Sequence, residues 1–444
     1  MTVNFYHQNR VRAQSFRIDQ SPLQALQLRL TSAVLLCSLI GYPLISLFGE
    51  LFGVASNTLS VSFRIFVIVI SIALMIANLL YRSKTVIYFP LAIFLGLYTL
   101  RLLFDFSTNQ RIDVTNPLQI FIATAVVPAV AISLSPTIEM DWGRFNRLLL
   151  LLCGLGLFLV VVLEQMGMSY NPWGSYGVSA RLQFYRLNPI SLGLFAGIGF
   201  LSAVWMLSSK QETKLFKVIC LYVIVIAAYV LLASSSRGAW IGVVLATVSL
   251  LLRRPILAVV AFGVATVALL TVELPTDSFI IFSKIQSALT GELEFDKSIN
   301  ERLLVQGLAI EDFLSSPLFG NASVVEGLKE GEYPHNIVIE TAMALGVVGL
   351  ITLCIVLTKL FAVLFGATRY SVGLLGLLLI PHMVIASTSG ALFGHGALFI
   401  LSIVVLQLAT ASRRKALARF SSNKEYVRRL RQLRSPELGR NARF

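Results

Sequence analysis

Charge is scarce in this 444-residue chain. Asp, Glu, Lys and Arg make up 13% of it, about half the ~25% of an ordinary soluble domain. That excludes a conventional water-facing globular surface. Cysteine is equally sparse: Cys37, Cys153, Cys220 and Cys354 all lie inside apolar runs, which argues against a disulfide framework. No internal repeat or low-complexity linker interrupts the chain. No short apolar leader precedes it either, since the first ~27 residues are polar and the first apolar run is of full membrane length.

What the chain has instead is hydrophobic length. Apolar residues make up 56% of it and the mean hydropathy is +0.80. Runs of ~20 such residues cross ~30 Å of hydrocarbon as helices, because a helix satisfies its own backbone polar groups. About twelve spans are expected: Leu28–Phe48, Val61–Tyr81, Val86–Phe104, Pro117–Leu134, Phe145–Gln165, Leu187–Leu207, Leu215–Ala233, Gly238–Leu252, Pro255–Leu274, Ile337–Phe365, Val372–Ser389 and Leu392–Ala411. With that count, 26 of the 36 basic residues fall on one face: residues 1–29, alternate short loops, and the tail after Ala411. The positive-inside rule makes that face cytoplasmic. The expectation is an all-α integral membrane protein of about twelve transmembrane helices. Its parts are a cytoplasmic tail (1–27), a membrane domain (28–411) with a large exterior loop (275–336), and a basic cytoplasmic tail (412–444). The net charge of +14 then reflects topology and attraction to membrane lipids, and nucleic acid is not an expected partner. The basic tail reads as a solvated segment, with an amphipathic surface helix as the alternative.

On the exterior side, Ser298–Leu314 has helical apolar spacing, with Asn300 as a candidate cap, and Asp277–Leu289 is a weaker amphipathic segment. Such helices would lie along the interface. Ten basic residues run against the topological bias: Arg64, Arg101, Arg111, Arg181, Arg186, Arg237, Lys284, Lys297, Arg302 and Lys329. Arg237 is the sharpest candidate. It stands in ASSSRGAW, close to membrane depth, where an arginine is costly unless paired. Ser236 and its neighbouring serines add hydroxyls, and Gly238 allows close approach. Arg181 and Arg186 precede Asn188-Pro189 at the start of a span. Arginine's planar fork suits phosphate oxygens, although each of these residues also reads as an interfacial anchor. Of four histidines, His7 lies in the tail, His382 within a span, and His395 at the exterior end of the last span. His335 begins Pro334–Leu350, PHNIVIETAMALGVVGL, where a polar loop gives way to a long apolar helix. A histidine there is a candidate proton carrier. Taken alone, the same segment is equally a helix start capped by Asn336. Gly346 and Gly349 read as small residues that let membrane helices pack closely.

His335-Asn336 and, after nine intervening residues, Gly346-Val-Val-Gly349 together resemble the signature of the O-antigen ligase and polymerase superfamily of bacterial membrane glycosyltransferases. SSSRGAW at 234–240, and Arg181 with Asn188-Pro189, are similar to that family's arginine segments, so the resemblance covers roughly Ser169–Leu350. It implies a multi-pass enzyme of the bacterial inner membrane with a periplasmic active site. The donor would be a glycan on undecaprenyl pyrophosphate and the acceptor lipid A-core. Arg181, Arg186 and Arg237 would hold the pyrophosphate, and His335 would take the proton of the attacking hydroxyl, with inversion. Asn336, Ser236, Glu340 and Arg302 are candidate supporting residues, Glu340 as one that orients the imidazole. No cofactor and no metal are expected, because no Asp-x-Asp pair or His/Cys ligand cluster marks the exterior side. Three further readings remain: the polymerase of the same superfamily, transfer to a protein hydroxyl, and, in a different class, a flippase of lipid-linked oligosaccharides, which would be expected to show related halves.

Overall fold

The computed structural model describes residues 21–81, 87–108, 114–169, 182–209, 212–251, 297–325, 332–366 and 369–434. The fold is all-α. Its helices are α1 Pro22–Leu51, α2 Ser56–Tyr81, α3 Phe89–Thr108, α4 Thr115–Ser133, α5 Trp142–Gln165, α6 Pro189–Leu207, α7 Lys214–Ala233, α8 Arg237–Leu251, α9 Lys297–Ser315, α10 Ile337–Phe365, α11 Arg369–Thr388 and α12 Gly396–Arg434. Among the described residues, nine of these are long and apolar enough to cross a membrane, and α8 and α11 are shorter apolar helices of the same bundle. These eleven fall on eleven of the twelve expected spans. Pro255–Leu274 and the segment Asp277–Leu289 lie outside the described residues.

Polar side chains set the helix ends. Asn188 accepts from Ser191 N at 2.8 Å and Thr213 from Phe216 N at 3.2 Å, capping α6 and α7. Three boundaries differ from expectation. Helix α1 starts at Pro22, capped by Ser21, because buried Gln27 finds a partner in Asn78 of α2 and so can be carried inside the bundle. Helix α9 starts at Lys297, so Asn300 lies within it and is not its cap. Helix α12 runs unbroken from the last span to Arg434, so the segment read as a solvated tail is helical through that residue.

One apolar core joins α1 to α8 with α10, α11 and α12, and a small satellite of Val305, Ala309, Val325 and Met343 seats α9 on α10. Membrane helices gain little from hydrophobic exclusion, so close van der Waals approach matters. Helix α8 meets α11 through Gly238 and Gly242. A Cβ there would fall 2.6 Å from Thr388 Oγ1 and 2.5 Å from Pro381 Cα. That pair brings the start of α8 against the end of α11.

Gly346 does something other than smooth a helix face. Its φ of 61° and ψ of −155° break α10, and a Cβ would sit 2.5 Å from the carbonyl of Leu318. The loop after α9 docks its backbone into this break. Val347 N donates to Pro317 O at 2.9 Å, and Asn321 N donates to Met343 O at 2.8 Å. Arg101 and Asp105 of α3 pair at 2.8 Å, and Asp105 accepts from Ser323 N at 2.8 Å, pinning the same loop from the other side. Arg101, one of the ten basic residues set against the charge bias, is thus built into the scaffold.

Candidate active site

Helix α10 begins as expected, with the Asn336 carboxamide accepting from Val338 N at 2.9 Å and Ile339 N at 3.3 Å. The residue before it, His335, has a φ of +56°, a left-handed conformation uncommon for a side chain of this size and one that persists only where surroundings fix it. Three contacts do so. Gln306 of α9 donates to Pro334 O at 3.1 Å, the Tyr333 ring meets the imidazole with centroids 4.6 Å apart, and Gly390 N donates to His335 Nδ1 at 3.4 Å.

The last contact leads to a second element, the turn that follows α11. Arg302, one helical turn before Gln306 on α9, donates to Thr388 O at 3.0 Å. Gly238, next to Arg237, packs on Thr388 Oγ1. Glu340, one turn into α10, accepts from Leu392 N at 2.8 Å. The Thr388–Leu392 turn therefore gathers Arg302, His335, Glu340 and the start of the Arg237 helix at one end of the bundle. Sequence reading placed His335 and Arg237 on separate segments and did not identify what joins them. The turn acts through backbone groups, which no residue pattern marks.

Burial, and then the positive charge of Arg302, push the His335 imidazole down from its usual range to about 4. The ring is therefore neutral at pH 7, and its one lone pair lies on Nδ1, the atom that meets Gly390 N at 3.4 Å, so taking up a proton there means letting go of that long contact. An anion that neutralised Arg302 would raise its proton affinity, so base strength and anion binding are linked through this one arginine.

The remaining candidates separate clearly. Arg237 opens α8 with its side chain exposed. The Ser234 and Ser235 hydroxyls donate back to Leu231 O at 2.9 Å and Leu232 O at 3.4 Å, closing the end of α7, and Ser236 is buried against Gly193 of α6. Arg186 is bound to Glu50 of α1: its NH1 pairs with Glu50 Oε2, its backbone N donates to Oε1 at 2.6 Å, and its Nε donates to Val54 O. Its side chain is 12% exposed, so this geometry ties the loop before α6 to the end of α1. Arg181 lies outside the described residues, and His7 does too. Glu340 does not orient the imidazole. It is fully buried, and its two oxygens take Tyr98 OH at 2.9 Å and Leu392 N. His395 is buried with its Nε2 turned to Gly390, and His382 is buried within α11.

The fold and this cluster define a class: a multi-pass, all-α membrane protein with a neutral histidine and arginines gathered at one end of its bundle. Residues 222–354, from within α7 to Cys354 of α10, match the family model described as O-antigen ligase. The resemblance to the O-antigen ligase superfamily therefore holds over the stretch that carries Arg237, Arg302 and His335. Arg181 and Arg186 precede the match. No curated protein matches the chain.

Proposed function

We propose that this chain is a glycosyltransferase of the O-antigen ligase type. It moves a glycan from undecaprenyl pyrophosphate to lipid A-core at the periplasmic face of the bacterial inner membrane. The observation that supports this most is the convergence of neutral His335, Arg302 and the Arg237 helix start on the Thr388–Leu392 turn. His335 accepts the proton of the acceptor hydroxyl at Nδ1, giving up the contact from Gly390 N, as that oxygen attacks the anomeric carbon, and the bond to pyrophosphate breaks on the opposite face. Arg237 and Arg302 stabilise the charge that grows on the departing pyrophosphate, with Arg181 in the same role. Arg186 belongs to the scaffold in this reading, since recruiting it would break its pair with Glu50. Because Arg302 also lowers the proton affinity of His335, donor phosphate strengthens the base as it binds.

The polymerase of the same superfamily uses the same donor chemistry and differs in its acceptor. Proteoliposomes supplied with lipid-pyrophosphate-linked glycan and lipid A-core separate the two. The ligase reading expects glycan on lipid A-core, lost in His335→Ala, and a raised donor KM in Arg237→Ala. Products that only lengthen on the carrier lipid overturn it in favour of the polymerase. No covalent product from a folded preparation offered a range of acceptors favours a flippase.

A further inference from the structure

Beside His335 the described residues hold two aromatic rings, set edge to face, that no step above uses. Tyr333 stands between His335 and Phe393, with ring centroids 4.6 Å and 5.7 Å away and interplanar angles of 60° and 82°. Both Tyr333 and Phe393 are part-exposed. Phe393 lies on the 3-10 turn Leu392–Gly394, whose first N–H is held by buried Glu340, itself fixed by Tyr98. Tyr333 is two residues before His335, in the segment that Gln306 fixes by its bond to Pro334. The two rings are thus presented by separate, independently anchored segments and meet next to the imidazole.

We propose that Tyr333 and Phe393 form a subsite that receives the pyranose ring of the acceptor sugar, resting on the transferase reading above. An aromatic face carries partial negative charge, and the C–H hydrogens on one face of a pyranose carry partial positive charge, so the two stack while the sugar hydroxyls stay at the edge. Tyr333 contacts the His335 ring directly, so a sugar stacked there directs an edge hydroxyl towards the base. Neither ring carries a formal charge, which suits a neutral sugar. This also gives Glu340 and Tyr98 a purpose. They hold the turn that sets Phe393, and so act on acceptor placement rather than on the proton.

The test compares wild type, Tyr333→Phe, Tyr333→Leu and Phe393→Leu as full-length protein. It measures transfer kinetics together with binding of a hexose-terminated core oligosaccharide by saturation-transfer NMR. Tyr333→Phe should stay within about twofold of wild type, because the ring is kept. Each Leu variant should raise the oligosaccharide Kd and the acceptor KM roughly three- to tenfold and leave the donor KM unchanged. Equal oligosaccharide affinity in wild type and both Leu variants overturns the subsite, as does a loss confined to the donor KM. A wild type that binds the oligosaccharide in a Tyr333-dependent way yet forms no bond to it keeps the subsite and removes the transferase reading.

Discussion

Gly346→Ala isolates the link between backbone geometry and the site. Gly346 has φ 61° and ψ −155°, a region essentially reserved for glycine and worth about 1–3 kcal/mol of strain for any other residue. The new Cβ would also lie 2.5 Å from the Leu318 carbonyl and 2.6 Å from Pro317 O. Both are backbone atoms, so the loop itself must withdraw. Withdrawal releases the bonds from Val347 N to Pro317 O and Val348 N to Leu318 O, roughly 1 kcal/mol each. The sum is about 3–5 kcal/mol, or between two and four powers of ten in the ratio of docked to undocked loop. That loop joins α9, which carries Arg302 and Gln306, to α10, so undocking loosens the support of His335. Limited proteolysis of residues 316–325 in detergent, run beside the transfer assay, reads both effects. The expected result is loop cleavage faster by about two orders of magnitude, with transfer lost in parallel. Gly307→Ala is the control, since a Cβ there meets nothing within 4 Å and alanine favours a helix interior by about 0.5–1 kcal/mol. A Gly346→Ala protein with wild-type cleavage and wild-type transfer would refute the reasoning.

Two further predictions concern charge. In the proposed mechanism activity requires neutral His335, so it should persist above that group's pKa and be lost as pH falls through it. Arg302→Gln removes the second of the two causes that hold the imidazole at about 4, and the acid limb of kcat/KM should rise by up to about one pH unit. An unmoved limb contradicts the coupling. Arg186 and Glu50 are 12% and 6% exposed, and breaking such a buried pair costs about 3–5 kcal/mol. Arg186→Ala and Glu50→Ala should each lower thermal stability in detergent, and the double variant should lose less than the two together. A phosphate-only role for Arg186 would instead reduce transfer and leave stability untouched.

The membrane spans were legible because the length of an apolar run follows directly from bilayer thickness. The fold class and eleven of the expected spans follow from that, and the Asn336 cap follows from the preference of a short polar side chain for a helix start. Less of the site was legible. Arg237 could be singled out because a charge is costly at membrane depth, and His335 because it stands where a polar loop gives way to an apolar helix, but the turn that joins them acts mostly through its backbone. Thr388 O, Gly390 N and Leu392 N have no sequence signature. The pairing of Arg186 is hidden for a related reason: its partner Glu50 lies 136 residues away, and charge bias alone does not separate a ligand-binding arginine from one already paired. The motif glycine Gly346 was assigned to helix packing because spacing gives position and not φ; only its backbone conformation reveals a break that admits a loop.

The most direct test of the central claim is glycan transfer by His335→Ala in proteoliposomes holding lipid-pyrophosphate-linked glycan and lipid A-core. The account predicts a folded, inserted protein that binds donor but forms no product, while wild type glycosylates lipid A-core. Transfer by the variant at near the wild-type rate would contradict it.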